Sequence, residues 1–110
     1  MYRPILILFF TAIALKASSQ TIFPLYSGKV PNAIPGVKEI KIITDKGEER
    51  YQKVTEPTLE IRRPAKDKAT KAAVIIIPGG GYSTVVYTYE GTKVADELTK
   101  MGVTAFILKY

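Results

Sequence analysis

The chain has 110 residues, a net charge of +6, no cysteine and no histidine. This length allows one domain at most, and the lack of cysteine in the sequence excludes a disulfide framework, a thiolate metal site and a lipid-modified cysteine. Basic residues are concentrated between Arg62 and Lys71 without interleaved aromatic residues, which is a poor pattern for nucleic-acid binding. We therefore expect a solvated connection there and no nucleic-acid partner.

Residues 1–19 have the organisation of a secretory signal peptide. A positive start at Arg3 is followed by an apolar run over 5–15, and the small residues 17–19 precede a cleavage point before Gln20. A membrane-spanning helix needs about 20 apolar residues, so this run is too short to span. The sequence thus predicts cleavage, a secreted or periplasmic product and no stable membrane anchor.

The mature chain is predicted to start with an irregular segment, 20–36, which precedes a domain over 37–110. Closely spaced prolines and glycines in this segment exclude a helix or a long strand. Apolar and polar residues then alternate imperfectly over 37–44, which predicts a first strand, and residues 45–47 predict a turn with a hairpin-like return. Period-two stretches over 49–54 and 58–62 predict a second strand, and its interruption near Pro57 indicates a bend or an edge position.

The remaining sequence predicts a strand, a helix and a strand. Residues 72–77 are apolar without alternation, which is typical of a strand buried on both faces. Residues 92–101 have amphipathic helical spacing, with Thr92 as the N-cap and Gly102 as the C-terminal stop. Residues 103–110 form the second buried strand. Such a βαβ unit makes the two strands parallel, so the fold class is α/β with a mixed sheet.

Three consecutive glycines follow the first of these strands, in the segment 78–82. A phosphate-binding loop would require G-x-x-x-x-G-K-[ST], and no lysine follows until Lys93. A dinucleotide loop would open directly into a helix, whereas residues 82–90 intervene here. An oxyanion hole, in which backbone N–H groups bind the negative oxygen of an attacked ester, fits better. A purely structural loop remains the alternative.

Pro78-Gly79-Gly80-Gly81-Tyr82 resembles the H-G-G-G-[FWY] oxyanion motif of α/β-hydrolase esterases and lipases, with proline in place of histidine. Glu90-Gly91 and Leu108-Lys109-Tyr110 extend the resemblance to exported acetyl xylan esterase-like and feruloyl esterase-like members. The resemblance covers roughly 54–110. It implies the N-terminal part of an α/β-hydrolase fold, truncated before the strand that carries the nucleophile, with the sheet order first, second, fourth, third.

The resemblance also implies roles for individual residues. The backbone N–H groups of Gly80 and Gly81 would help to form the oxyanion hole, and Tyr82 would border the substrate pocket. Apart from the resemblance, Glu90 could orient a substrate hydroxyl or support the loop, although a charged residue near a helix N-terminus is also favourable by itself. Ser83 matches only part of a nucleophile motif, and no histidine exists in the sequence to activate it. We therefore interpret Ser83 as an ordinary loop hydroxyl and assign no catalytic triad residue.

No cofactor or metal is expected, because histidine and cysteine are absent from the sequence and the carboxylates are scattered. Tyr87 and Tyr89 could stack on a sugar, but packing is the commoner role for such residues. The resemblance implies the N-terminal fragment, inactive alone, of an exported carboxylic ester hydrolase whose partner is an acetyl or feruloyl ester of polysaccharide. The alternative is a complete small secreted binding module, not an enzyme, with a structural glycine loop.

The implied sheet order places the strand over 72–77 at an open edge. Long apolar edge strands promote association between chains. We therefore expect the mature chain to aggregate or to fold only partly, and we expect Ile76→Lys to improve its solubility.

Overall fold

The computed structural model describes residues 21–110, so the predicted signal peptide over 1–19 and the cleavage point before Gln20 lie outside the described residues. The described part contains six strands, a π-helical turn and one α-helix. In chain order these are β1 (Thr21–Pro24), β2 (Ile40–Ile43), β3 (Glu49–Gln52), β4 (Thr58–Arg62), β5 (Ala73–Ile76), the π-turn (Thr88–Thr92), α1 (Lys93–Lys100) and β6 (Thr104–Lys109). No helix in this part has both the length and the apolar character needed to cross a membrane.

Four strands form a mixed sheet in the order β1-β4-β6-β5. Strand β4 is antiparallel to both β1 and β6. Strands β5 and β6 are parallel and are connected through α1. This parallel pair confirms the βαβ unit predicted from the sequence. The expected order of the second, fourth and third predicted strands is also confirmed, as β4-β6-β5.

The strand that pairs with β4 at the outer edge of the sheet is not the one that was predicted. The first predicted strand, 37–44, contains β2, which pairs with β3 in a separate two-stranded sheet. Its place beside β4 is taken by β1, within the segment 20–36 that was predicted to be irregular. That prediction is wrong at residues 21–24, because three of them favour strands and Pro24 is compatible with an edge position, where a missing N–H is tolerated.

At the predicted interruption of the second strand, the chain passes from one sheet to the other. Strands β3 and β4 belong to different sheets, and Lys53 between them has a φ of 51°. A residue in this left-handed conformation cannot continue an extended strand. The prediction that 49–54 and 58–62 belong to one interrupted strand is therefore wrong.

The buried apolar residues form one cluster that joins the sheet, α1 and the segment after the glycine loop. Its members are Ile76, Val85, Tyr87, Ala95, Ala105 and Ile107. Strand β6 lies inside the sheet, and alternate residues along it are buried. The burial of β6 therefore agrees with the prediction.

Strand β5 is mostly exposed, which contradicts the prediction of burial on both faces. Ile76 is 8% exposed, whereas Ile75 is 64% and Ile77 is 62% exposed. Within residues 21–110, β5 pairs with β6 alone and is the last strand of its sheet. The expected edge position is thus confirmed. Ile76, however, belongs to the core cluster, so a lysine at this position would lie in the core and not on the exposed face of the edge strand.

The helical segment starts earlier than predicted. Thr92 has helical backbone angles (φ −65°, ψ −38°) and makes no side-chain cap hydrogen bond. Its hydroxyl donates instead to the Thr88 carbonyl at 3.2 Å, and the Lys93 N–H donates to the same carbonyl across the π-turn. Thr92 thus directly precedes α1, as predicted, but it does not cap the helix, because the π-turn continues into α1 without a break in helical conformation.

Gly102 ends α1 as predicted. Its φ is 83°, and its N–H donates to Thr99 while the Val103 N–H donates to Leu98, both at 3.0 Å. This is the Schellman arrangement, which satisfies the last carbonyls of a helix. A Cβ at this position would lie 2.1 Å from the Lys68 carbonyl oxygen, so only glycine fits.

Candidate active site

The glycine loop, residues 78–82, begins on a buried proline just beyond β5. The side chain of Pro78 is fully buried, and its carbonyl accepts a hydrogen bond from the Tyr110 hydroxyl at 2.9 Å. The N–H of Gly79, which belongs to the same peptide group, donates to Glu90 Oε2 at 2.6 Å. The first peptide group of the loop is therefore held at both ends.

The next two peptide groups of the loop are held through their carbonyls. The Gly79 carbonyl accepts the Val86 N–H at 2.9 Å, and the Gly80 carbonyl accepts the N–H groups of residues 83–84 at 3.3 and 3.2 Å. Residues 21–110 contain no cis peptide bond, and in a trans peptide the N–H and C=O point in opposite directions. The N–H groups of Gly80 and Gly81 are therefore directed away from the 83–86 segment.

These two N–H groups are the predicted oxyanion donors, and they are free. Within residues 21–110, neither donates a hydrogen bond. Gly80 and Gly81 line an open cleft of about 530 Å³, together with Tyr51, Val54 and Tyr110. Both predicted donors thus belong to residues that line one cleft. Two adjacent backbone donors of fixed direction can bind an anionic oxygen there.

Glycine is required at these positions for two different reasons. Gly80 has a φ of 154°, and a Cβ there would lie 1.8 Å from the Thr84 carbonyl oxygen, which is an overlap with fixed backbone. Gly81 has a φ of 63°, in the left-handed region, but no atom lies within 4 Å of its Cβ position. Gly80 is therefore required because a side chain would overlap the backbone of Thr84. Gly81 is required only because its backbone is left-handed.

Tyr82 and Ser83 complete the loop without reaching a reactive partner. Tyr82 lines the cleft, but its side chain is fully exposed, and its φ of 60° is uncommon for a residue with a side chain. The Ser83 hydroxyl donates to the Gly80 carbonyl at 3.2 Å. This contact agrees with the interpretation of Ser83 as a loop hydroxyl.

Glu90 supports the loop. Its carboxylate accepts the Gly79 N–H, and it does not contribute to the lining of the cleft. A Cβ on Gly79 would lie 2.9 Å from Glu90 Oε2, which shows how closely the carboxylate approaches the backbone. Among the roles left open by the sequence, the geometry favours loop support over contact with a substrate.

A buried polar cluster, formed by Glu60, Arg62 and Tyr87, was not singled out from the sequence. The carboxylate of Glu60, which is 3% exposed, accepts the Tyr87 hydroxyl at 2.6 Å and Arg62 Nε at 2.8 Å. Arg62 also pairs with Asp96. The sequence did contain a signal for one pair, since two residues that are two positions apart on a strand share a face.

Burial raises the pKa of Tyr87 above its ordinary value of 10, and the hydrogen bond to Glu60 adds to this effect. The Tyr87 ring also packs edge-on against Tyr51, with ring centroids 5.4 Å apart. Tyr87 is therefore a core residue and cannot stack on a sugar. Tyr89, by contrast, is 61% exposed, and Lys93 Nζ lies 5.0 Å from its ring centroid.

Hairpin β2–β3 is attached to the segment that follows the glycine loop. Tyr51 in β3 and Val85 exchange backbone hydrogen bonds of 3.0 and 2.7 Å. Lys109 Nζ lies 4.8 Å from the Tyr51 ring centroid and pairs with Glu39 at 2.6 Å. The hairpin therefore forms one wall of the cleft.

Within residues 21–110, no three or more His, Cys, Asp or Glu side chains gather into a possible metal site.

Comparison with known proteins gives one limited similarity. No family profile matches the chain, and no solved structure matches it. A stretch of 38 residues is 42% identical to an acetylxylan esterase of Xylanibacter ruminicola. This stretch covers 34% of the chain and 8% of the length of that relative. Such a match supports a relationship to esterases at most.

Proposed function

We propose that this chain is the N-terminal part of an exported carboxylic ester hydrolase with an α/β-hydrolase fold. Its substrates are acetyl or feruloyl esters of polysaccharide. The N–H groups of Gly80 and Gly81 form the oxyanion hole. The observation that carries the proposal is the presence of these two free, fixed donors in one cleft. The short similarity to an acetylxylan esterase supports the same reaction class.

The donors act on the oxygen that becomes negative when a nucleophile attacks the ester carbonyl. Hydrogen bonds aimed at this oxygen stabilise the transition state more than the ground state. Removal of one such donor costs about 3–4 kcal/mol of transition-state stabilisation in enzymes of this kind. Because the loop peptides are already fixed, little reorganisation is needed at the moment of reaction.

The nucleophile and the general base belong to other parts of the protein in this proposal. The 110 residues contain no histidine, and Ser83 donates to a loop carbonyl. The chain by itself is therefore expected not to hydrolyse p-nitrophenyl acetate above a denatured-protein control. Hydrolysis by the chain that is abolished in Ser83→Ala would contradict this assignment.

The donors can be tested in the whole encoded protein by an amide-to-ester replacement. Glycolic acid at position 81 removes the N–H and keeps the chain shape, so kcat for p-nitrophenyl acetate should fall about 10²–10³-fold. The same replacement at Gly28 is the control, because Gly28 has open surroundings and its N–H makes no hydrogen bond within residues 21–110. An equal kcat for both replacements would contradict the proposal.

A secreted binding module that is not an enzyme is the second candidate. One observation favours it, since the overlap of a Cβ with the Thr84 carbonyl explains Gly80 without any ligand. This alternative does not explain why both N–H groups are free at one cleft. It predicts that the whole encoded protein has no activity on p-nitrophenyl acetate or acetylated xylan. Activity on either substrate would exclude it.

A further inference from the structure

The hydrogen bond between Gly79 and Glu90 connects the glycine loop to the start of the helical segment. It joins two residues eleven positions apart and is 2.6 Å long. A carboxylate that accepts a backbone N–H forms a charge-assisted hydrogen bond, which is stronger than a neutral one. This bond therefore restrains the loop at the residue immediately before the two free donors.

The π-turn places Glu90 where it can make this contact. Gly91, the next residue, is buried, and a Cβ there would lie 2.9 Å from Ile107 and 3.2 Å from Pro78. The turn can thus approach the base of the loop only because Gly91 has no side chain. Turns of this type interrupt regular helices and often lie at functional sites.

The restraint fixes the peptide group that precedes the two free N–H groups. The Pro78–Gly79 peptide group is held by Tyr110 at its carbonyl and by Glu90 at its N–H. The following peptide groups start from this fixed plane, and their carbonyls face the 83–86 segment. Without Glu90, the first peptide group would be held at one end only, and glycine residues impose little restraint of their own.

We infer that Glu90 is a positioning residue, whose carboxylate holds the glycine loop in the conformation that leaves the Gly80 and Gly81 N–H groups free beside the cleft. The catalytic part of this inference rests on the proposed function. Glu90 itself touches no reacting atom. Its loss should lower kcat and leave KM nearly unchanged, because the donors act on the transition state.

The restraint can be measured without any activity. In the whole encoded protein, ¹³C-carbonyl proline combined with ¹⁵N-glycine selects glycine amides that follow proline, which in this sequence are Gly36 and Gly79. Gly36 is an internal reference, because its N–H makes no hydrogen bond within residues 21–110. We expect slow hydrogen exchange at Gly79 in the wild type and in Glu90→Gln, which keeps an acceptor oxygen. Glu90→Ala should exchange at Gly79 nearly as fast as at Gly36.

The same variants are then assayed with p-nitrophenyl acetate. Glu90→Ala should lower kcat about 10–100-fold, with KM changed less than about twofold, and Glu90→Gln should restore most of kcat. Glu97→Ala is the control, since Glu97 makes only an exposed pair with Lys100. Unchanged Gly79 exchange in Glu90→Ala, or unchanged kcat, would overturn the inference. A wild type without activity would overturn the proposed function, while the exchange rates would still decide whether Glu90 holds the loop.

Discussion

The glycine loop and the buried polar cluster differ in whether their polar groups have hydrogen-bond partners. In the cluster, Glu60 accepts hydrogen bonds from Tyr87 and Arg62 and is almost fully buried. In the loop, the N–H groups of Gly80 and Gly81 have no partner within residues 21–110, although the carbonyls of residues 78–80 do. Paired buried groups stabilise a fold, whereas free donors of fixed direction are available to a ligand.

The difference shows why burial and pairing must be considered together. A buried charge that loses its partner is costly, so the cluster depends on every member. The free N–H groups of the loop line an open cleft, where water can satisfy them. A loop of this kind can therefore keep donors ready for a substrate without a large cost in stability.

The largest effect is expected in the polar cluster. Glu60→Ala removes the shared acceptor of Tyr87 and Arg62, so the free energy of unfolding should fall by about 3–5 kcal/mol. Glu97→Ala, the matched surface control, breaks a pair whose two side chains are both 70% exposed and should cost less than about 1 kcal/mol. Urea denaturation measures both. Equal costs would show that the cluster contributes no more than a surface pair.

The next effect separates the two reasons for glycine in the loop. Gly80→Ala places a Cβ against the Thr84 carbonyl oxygen and should destabilise the protein by about 3 kcal/mol. Gly81→Ala meets no atom within 4 Å and should cost about 1–2 kcal/mol through its left-handed conformation alone. Thermal unfolding followed by circular dichroism compares them. A larger cost for Gly81→Ala would contradict the steric argument.

The third effect depends on pH. Tyr87→Phe should lower the free energy of unfolding by about 1.5–3 kcal/mol at neutral pH, because it removes a hydrogen bond to a charged group. The raised pKa of Tyr87 means that the unfolded state releases its proton first. Wild-type stability should therefore fall above about pH 10, by at most about 1.4 kcal/mol per pH unit from this group.

The comparison with Tyr87→Phe isolates this contribution. Burial also raises the pKa of Tyr51, and the hydrogen bond to Glu49 raises that of Lys41, but both groups are present in the two proteins. The gap in stability between wild type and variant should therefore shrink as the pH rises from 8 to 11. A constant gap, measured by urea denaturation across this range, would show that Tyr87 ionises equally in the folded and unfolded states.

The sequence predicted the features that depend on neighbouring residues. The apolar run before three glycines predicted a strand that leads into a loop, and the structure has both. Gly102 could be recognised as a helix stop, because a left-handed residue after an amphipathic segment is a local signal. The start of the helix was missed because the π-turn bond between Thr88 and Lys93 leaves no such signal.

Features that depend on distant parts of the chain could not be predicted. An apolar run indicates a strand but not whether other elements cover it, so the exposure of Ile75 was missed. The donors of the glycine loop could be named from the motif. Their direction depends on Val86 and Tyr110, which the sequence does not place beside the loop. The same holds for Glu90, whose partner is eleven positions away.

The smallest effect on stability is expected for a substitution in the edge strand β5. This substitution tests whether the exposed apolar residues of β5 cause association between chains. Ile75 is exposed and Ile76 is in the core cluster, although they are neighbours. In a preparation of residues 21–110, Ile75→Lys should reduce self-association because a charged edge resists pairing with another chain. Its cost in stability should stay within about 0.5 kcal/mol.

Ile76→Lys is the matched contrast, because it would place a charge among the buried residues Ala95 and Ile107 and should unfold the chain. Sedimentation velocity measures association, and circular dichroism measures folding. If Ile75→Lys associates as strongly as the wild type, the exposed edge is not the cause of association. In that case the second exposed apolar surface, which includes Ile22 and Phe23 of β1, becomes the one to test, since β1 is the opposite edge of the same sheet.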